Sequence, residues 1–273
     1  MMMLAAVLTA VPAPVRALVF GHDRVTVPTD PSSIFSPIGI VYGTAEAGYA
    51  TAFLIDDCHA LTVQHVFGVS RSAVGRRVYF AAGVSGPFAT WRVTVATVIA
   101  EGGAQGTPSG PDALHKWTAD WTLLRLHRCL GRTFGHVTLT SAVPSNAEAV
   151  QMAGYPSDRP LSAGLALDPL CHARERRGGV LLHDCATLPG NSGSPLFRIG
   201  VLDGRPVMEV FAIDAAGYTY SDLGADPVHP VVNYMANYAN FAATLCGPLK
   251  AYEGDQARLG EDRRSNPTGQ CGS

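Results

Sequence analysis

Three short segments of the chain carry side chains whose types suit nucleophilic chemistry. A serine hydroxyl is a poor nucleophile at neutral pH, and reacts only beside a base and near donors preorganised for the oxyanion that forms. Leu188-Pro-Gly-Asn-Ser-Gly-Ser-Pro-Leu-Phe197 meets the backbone half of that requirement. Gly190 and Gly193 flank Ser192 and permit a tight turn, so the amides of Gly190 and Ser192 can converge on one oxygen. Pro195 to Phe197 then resume an apolar strand. A Gly/Ser turn between two strands has the same composition, so this segment alone is equally a plain turn.

Two other segments supply the missing groups. Leu61-Thr-Val-Gln-His65-Val66 ends an apolar strand on a histidine, and Asp120-Trp-Thr-Leu-Leu-Arg-Leu126 starts one on a carboxylate, after Thr118 and Ala119. A lone histidine after a strand is ordinarily structural or exposed, and a lone aspartate before one is ordinarily a turn residue. Base, carboxylate and hydroxyl together, in the chain order His65, Asp120, Ser192, make a set that chance does not readily supply.

The elements that must position these groups read as short β-strands between Gly, Pro, Ser and Asp. Strands are expected at 38–42, 49–55, 60–63, 78–82, 91–99 and 121–126, and, after a break at Cys129 to Phe134, at 136–139, 147–154, 179–182, 195–199 and 207–213. Strands at such spacing imply a sandwich or barrels, and two groups of about six imply two small barrels. The expected fold class is therefore all-β, two six-stranded antiparallel barrels split near residue 133. Gly102 to Pro111 reads as a surface loop, and the polar tail from Gly247 as a surface extension. Internal repeats and heptads are absent.

Composition narrows the setting. The 273 residues are 47% hydrophobic and 15% charged, enough for a sizeable core. A net charge of −2 gives no electrostatic reason for a nucleic-acid or anionic-membrane partner, and the basic run Arg174 to Arg177 reads as a solvated loop. Met1 to Val11 is apolar and is followed by small residues, as in a signal peptide cleaved after Ala13 or Ala17. It lacks a preceding Lys or Arg, the alternative being a disordered or propeptide-like start. The run falls short of the roughly 20 residues that span a bilayer. A soluble, secreted or periplasmic protein is expected, without stable membrane association. Six cysteines, Cys58, Cys129, Cys171, Cys185, Cys246 and Cys271, suit disulfides in an oxidising compartment and allow 15 pairings. No C-x-x-C pair or zinc-spaced Cys/His group occurs, so no metal is expected.

The three segments resemble the His, Asp and Ser motifs of the chymotrypsin-like serine proteases. Gly190-Asn191-Ser192-Gly193-Ser194-Pro195 is closer to the bacterial glutamyl-endopeptidase branch than to digestive trypsins, which carry Asp before the serine. Val19-Phe-Gly-His-Asp-Arg24 is similar to the mature start of that branch, and Thr51-Ala-Phe-Leu-Ile55 to the strand before its histidine motif. The resemblance implies that Ser192 attacks a peptide carbonyl, His65 shuttles the proton and Asp120 orients the imidazole, with Gly190 and Ser192 as the oxyanion hole. It implies a polypeptide substrate, no cofactor and a monomer. It divides the chain into a signal peptide (1–17), an N-terminal barrel with His65 and Asp120 (18–133), a C-terminal barrel with Ser192 (134–246) and a tail (247–273).

Departures accompany the resemblance. Asn191 stands where trypsins pair an Asp with the new N-terminus, and Val66 stands where they have a cysteine beside the histidine. In this fold the strand entering the histidine runs antiparallel to the strand leaving the aspartate, which implies a Cys58–Cys129 bridge. Cys171 and Cys185 are expected to pair across a hairpin, and Cys271 to tether to Cys246. The alternative is that some are buried free thiols. Substrate-binding positions implied by the motifs are Thr187, Asp214, Ala215 and Gly217. Thr187 matches a threonine that glutamyl endopeptidases turn to a substrate carboxylate, but Asp214 stands where they place a histidine. An ionised Asp214 in the pocket would repel Glu and favour a basic P1 residue. Turned away, or bonded to Tyr218, it leaves a small polar pocket. The rival functional class is a binding module that keeps the fold without catalysis. An esterase of the α/β-hydrolase kind would need a strand–turn–helix elbow and a different triad order.

Overall fold

The computed structural model describes residues 24–43, 48–68, 72–102, 118–177, 180–218 and 232–237, with the backbone alone at 177, 216–218 and 232–237. The expected signal segment 1–17, Cys246, Cys271, the tail from 247 and nearly all of the 102–111 loop lie outside these residues. Among the described residues no helix is long and apolar enough to cross a membrane.

Strands β2 (Ile38–Tyr42), β3 (Tyr49–Leu54), β4 (His59–Thr62), β5 (Arg77–Ala82), β6 (Arg92–Glu101) and β7 (Thr122–Leu126) close a barrel in the order β2-β3-β4-β7-β6-β5. Every neighbouring pair is antiparallel. Period-two alternation explains why β3 is apolar almost throughout. Ala50, Ala52 and Leu54 fill the barrel with Val41, Phe80, Val98 and Leu124. Phe53 points the other way, into a second cluster with Ile38, Ile40, Leu61 and Leu123 that includes Phe197, Phe211 and Ile213 of the second sheet. A strand buried on both faces has no polar side to show.

The second sheet contains β1 (Val25–Val27), β8 (Thr138–Leu139), β9 (Ala149–Gly154), β10 (Leu165–Arg177), β11 (Val180–His183), β12 (Pro195–Leu202), β13 (Arg205–Tyr218) and β14 (Val232–Asn237). Pairings run β10-β11-β14-β13-β12-β9, and β9 pairs back to β10, so six strands form a ring. β8 adds parallel to β13, and β1, which precedes the first barrel in the chain, pairs with β10. The all-β double-barrel architecture is present, with two strands appended to the second ring. A two-residue turn joins β12 to β13, with Asp203 and Gly204 both at positive φ (50° and 75°), the conformation that matches strand twist in a hairpin.

Several strands differ from expectation. β10, β14 and β1 are not among the expected strands, and the segment expected at 136–139 shrinks to Thr138–Leu139. β10 contains Pro169 and four charged residues after His172, features that argue against a strand. It tolerates them because it changes partners: up to His172 it pairs with β9, and from Ala173 it pairs with β11. The basic run at 174–177 is therefore strand, not a solvated loop. Arg174 reaches Asp184, and Arg176 donates to the carbonyls of Val143 and Pro144 at 2.7 and 3.0 Å.

The hairpin that delivers β4 is fixed by a buried carboxylate. Asp56 Oδ1 accepts from the amides of Cys58 and His59 at 2.7 and 2.8 Å, and Oδ2 lies 2.8 Å from His59 Nδ1. Burial pushes the Asp56 carboxyl up, but the His59 bond and charge and the two amides outweigh it and leave its pKa lowered. Beside this turn Cys58 is bonded to Cys129, at the far end of the β4–β7 ladder, and Cys171 is bonded to Cys185. The first bridge spans 71 residues. By the chain-entropy relation its loss costs about 4 kcal/mol. A Cys58→Ala/Cys129→Ala variant is therefore expected to unfold at clearly lower urea than the parent. An unchanged midpoint would rule out a stabilising role.

Candidate active site

His65 follows β4 in a single 3-10 turn, His65–Phe67, closed by Gly68 at φ 88°. Pairing of Thr62 with Thr122 sets the end of β4 against the start of β7, and this register brings Asp120 alongside His65. Asp120 is fully buried. An ionised carboxylate there needs donors around it. It has three: Gln64 N at 2.7 Å and His65 N at 2.9 Å on Oδ1, and His65 Nδ1 at 2.7 Å on Oδ2. A carboxylate can only accept, so the proton of the neutral imidazole belongs on Nδ1 and the lone pair on Nε2. His65 Nε2 lies 3.1 Å from Ser192 Oγ.

Ser192 sits in the connection from β11 to β12, which is held from several sides. Asn191 N donates to Leu188 O, its side-chain amide to Ala186 O, and Ser194 N to Asn191 O. Gly193 N donates to Asp214 O at 2.8 Å, and Asp214 N returns a bond to Ser194 O at 2.8 Å. From the first barrel, Thr51 donates its amide to Ser192 O at 2.9 Å and its hydroxyl to Gly190 O at 2.8 Å. Thr51 thus joins the barrel that carries His65 and Asp120 to the turn that carries Ser192. Gly190 and Gly193 have φ of 92° and 87°, and a Cβ on either would stand 2.3 Å from Tyr155 O or 2.1 Å from Thr51 O. Both steric reasons exclude any other residue. Among the described residues the amides of Gly190 and Ser192 donate to no acceptor, while those of Asn191, Gly193 and Ser194 all do. Two undedicated donors beside a nucleophile can serve a developing oxyanion.

The expected substrate-binding residues separate into two kinds. Thr187 is partly exposed, whereas Asp214 is fully buried behind it and Ala215 is 2% exposed. Thr187 Oγ1 donates to Asp214 Oδ2 at 3.2 Å. Asp214 is thus bonded to Thr187 rather than exposed; the Tyr218 side chain lies outside the described residues. Gly217 is placed by its backbone, opposite Asn233 on β14. Sequence reading did not single out His183, also fully buried, whose Nε2 is 3.5 Å from Asp214 Oδ1. Nothing in the chain marks a histidine at the end of an apolar strand as the neighbour of an aspartate 31 positions on, because β14 must lie between β11 and β13 first. Burial is the largest influence on the Asp214 carboxyl and leaves its pKa raised, against the opposing effects of nearby His183, the Thr187 bond and the charge of His65. Among the described residues no three His, Cys, Asp or Glu side chains are grouped as a metal would need.

The family model of the trypsin-like peptidase domain matches residues 50–201. No curated protein matches the chain. Among solved structures the chain is similar to a Glu endopeptidase in complex with MPD, with TM-score 0.60 and 17% identity over 82% of this chain and 95% of that one. It is also similar to the protease Anisep from Arthrobacter nicotinovorans, with TM-score 0.56 and 14% identity over 79% of this chain and 93% of that one. At such identities the likeness is one of fold.

Proposed function

The chain belongs to the trypsin-like peptidase domain family, and from that premise we propose that it is a serine endopeptidase acting through His65, Asp120 and Ser192. The observation that carries this reading is the continuous path from Asp120 Oδ2 to His65 Nδ1 at 2.7 Å and from His65 Nε2 to Ser192 Oγ at 3.1 Å. His65 takes the Ser192 proton as Oγ bonds to the scissile carbonyl carbon, and the carbonyl oxygen becomes an oxyanion held by the Gly190 and Ser192 amides. Collapse breaks the C–N bond, and His65 passes its proton to the leaving amine. Water, deprotonated by His65, then hydrolyses the acyl-enzyme and returns the proton to Ser192. Asp120 stabilises the imidazolium in each half without taking a proton itself. The polypeptide substrate runs between the two barrels, and no cofactor takes part. Two disulfides suit an oxidising compartment, and the proposed setting is secreted or periplasmic, as a monomer.

The test is covalent labelling of the folded protein by a fluorophosphonate probe, with a Ser192→Ala variant as control. Labelling of the parent alone, at a rate that follows titration of a single base, is expected. A folded parent that takes up no label would transfer the reading to a binding module built on the same fold.

A further inference from the structure

Thr187, Asp214 and His183 form a polar group next to Ser192 that the proposed reaction does not use. Asp214 is tied by its backbone to the nucleophile turn, through Gly193 N and Ser194 O, both at 2.8 Å. His183 Nδ1 accepts from Cys185 N at 3.1 Å. That bond leaves Nδ1 without a proton, so His183 is the neutral tautomer with its N–H on Nε2, facing Asp214 Oδ1 at 3.5 Å. No cation therefore comes from His183. On the other side, Thr187 Oγ1 donates its one proton to Asp214 Oδ2 at 3.2 Å. Thr187 is left with lone pairs alone to offer to whatever enters the pocket.

We propose, on the reading of the chain as a serine endopeptidase, that the pocket beside Ser192 selects P1 side chains that donate a hydrogen bond to Thr187 Oγ1 and rejects acidic ones. Asp214 and His183 are positioning residues in this device: they act through the Thr187 hydroxyl rather than on the substrate. A P1 carboxylate meets no free donor at Thr187 Oγ1, whose proton is already given to Asp214. A P1 amide, ammonium or guanidinium supplies the donor that the hydroxyl lacks. Glu and Gln have nearly the same shape, so comparing them isolates hydrogen-bond polarity and charge from fit. Sites that leave a buried polar group unpaired discriminate strongly, by about 100-fold or more.

The experiment measures kcat/KM for one peptide series with Gln, Lys, Glu or Ala at P1, alongside fluorophosphonate labelling. Gln and Lys are expected to exceed Glu by at least about 100-fold. Thr187→Val is expected to narrow the Gln-to-Ala ratio about tenfold, and Thr187→Ser to restore it, because serine keeps the hydroxyl and valine keeps only the shape. Labelling with Glu as the preferred P1 residue overturns this inference alone, as does a Gln-to-Ala ratio that Thr187→Val leaves unchanged. Absence of both labelling and cleavage overturns the underlying serine endopeptidase reading as well.

Discussion

Alanine at position 192 is expected to lower kcat by about six orders of magnitude, with KM and stability nearly unchanged. The size of the loss follows from the coupling of the three side chains. Without Oγ there is no bond to form with the carbonyl carbon, and His65 and Asp120 have no proton to manage. The residual rate is that of water in a site with two amide donors. Stability is spared because Ser192 is partly exposed and its Oγ bonds, among the described residues, only to His65, whose side chain is 27% exposed and finds solvent instead. Changes at such positions stay within about 0.5 kcal/mol. Steady-state kinetics on a cleaved peptide, with urea unfolding of the same preparation, check both halves. A variant that keeps a hundredth of the parent rate would remove Ser192 from the chemistry.

Asp120→Asn is expected to lower kcat about ten-thousandfold at neutral pH while the chain still folds. Asparagine retains an Oδ1 that accepts from Gln64 N and His65 N, so the two backbone bonds at 2.7 and 2.9 Å survive. What changes is the atom 2.7 Å from His65 Nδ1. An amide nitrogen there donates, so Nδ1 must accept and the imidazole proton moves to Nε2, opposite Ser192 Oγ. The base is then blocked without any displacement of the ring. Fluorophosphonate labelling is expected to slow in parallel with kcat, whereas a merely structural role for Asp120 would show as a lower unfolding midpoint with labelling preserved in the folded fraction.

Much of the site was legible because its requirements are local. Gly190 and Gly193 are demanded by two left-handed backbone positions and two carbonyls that leave no room for a Cβ, and such positions appear in a sequence as glycine. The strands of the first barrel were legible because their side chains alternate between two apolar surroundings, and only the strand ends shifted by a residue or two. β10 was illegible for the opposite reason. Its Pro169 and its charged second half are accommodated by a change of partner strand and by ion pairs such as Arg174 with Asp184, contacts that exist only once β9, β10 and β11 have paired. β1 was missed because three residues carry no period, and its strand character comes entirely from pairing with β10.

By itself the sequence determined which residues are candidates, Ser192 between its glycines, His65 after β4 and Asp120 before β7, since turn chemistry and strand period act over a few residues. Whether those candidates meet was decided only by tertiary structure. The Thr62–Thr122 register sets Asp120 beside His65, and the grip of Thr51 on Gly190 and Ser192 sets the serine within 3.1 Å of the imidazole. The same holds for Asp214. Its residue type raised the question of what the pocket accepts, but its burial behind Thr187 and beside His183 arises from the β11-β14-β13 order. A hydrogen bond is made by atoms a few ångströms apart, and for residues far apart in sequence that distance exists only once the barrels have closed.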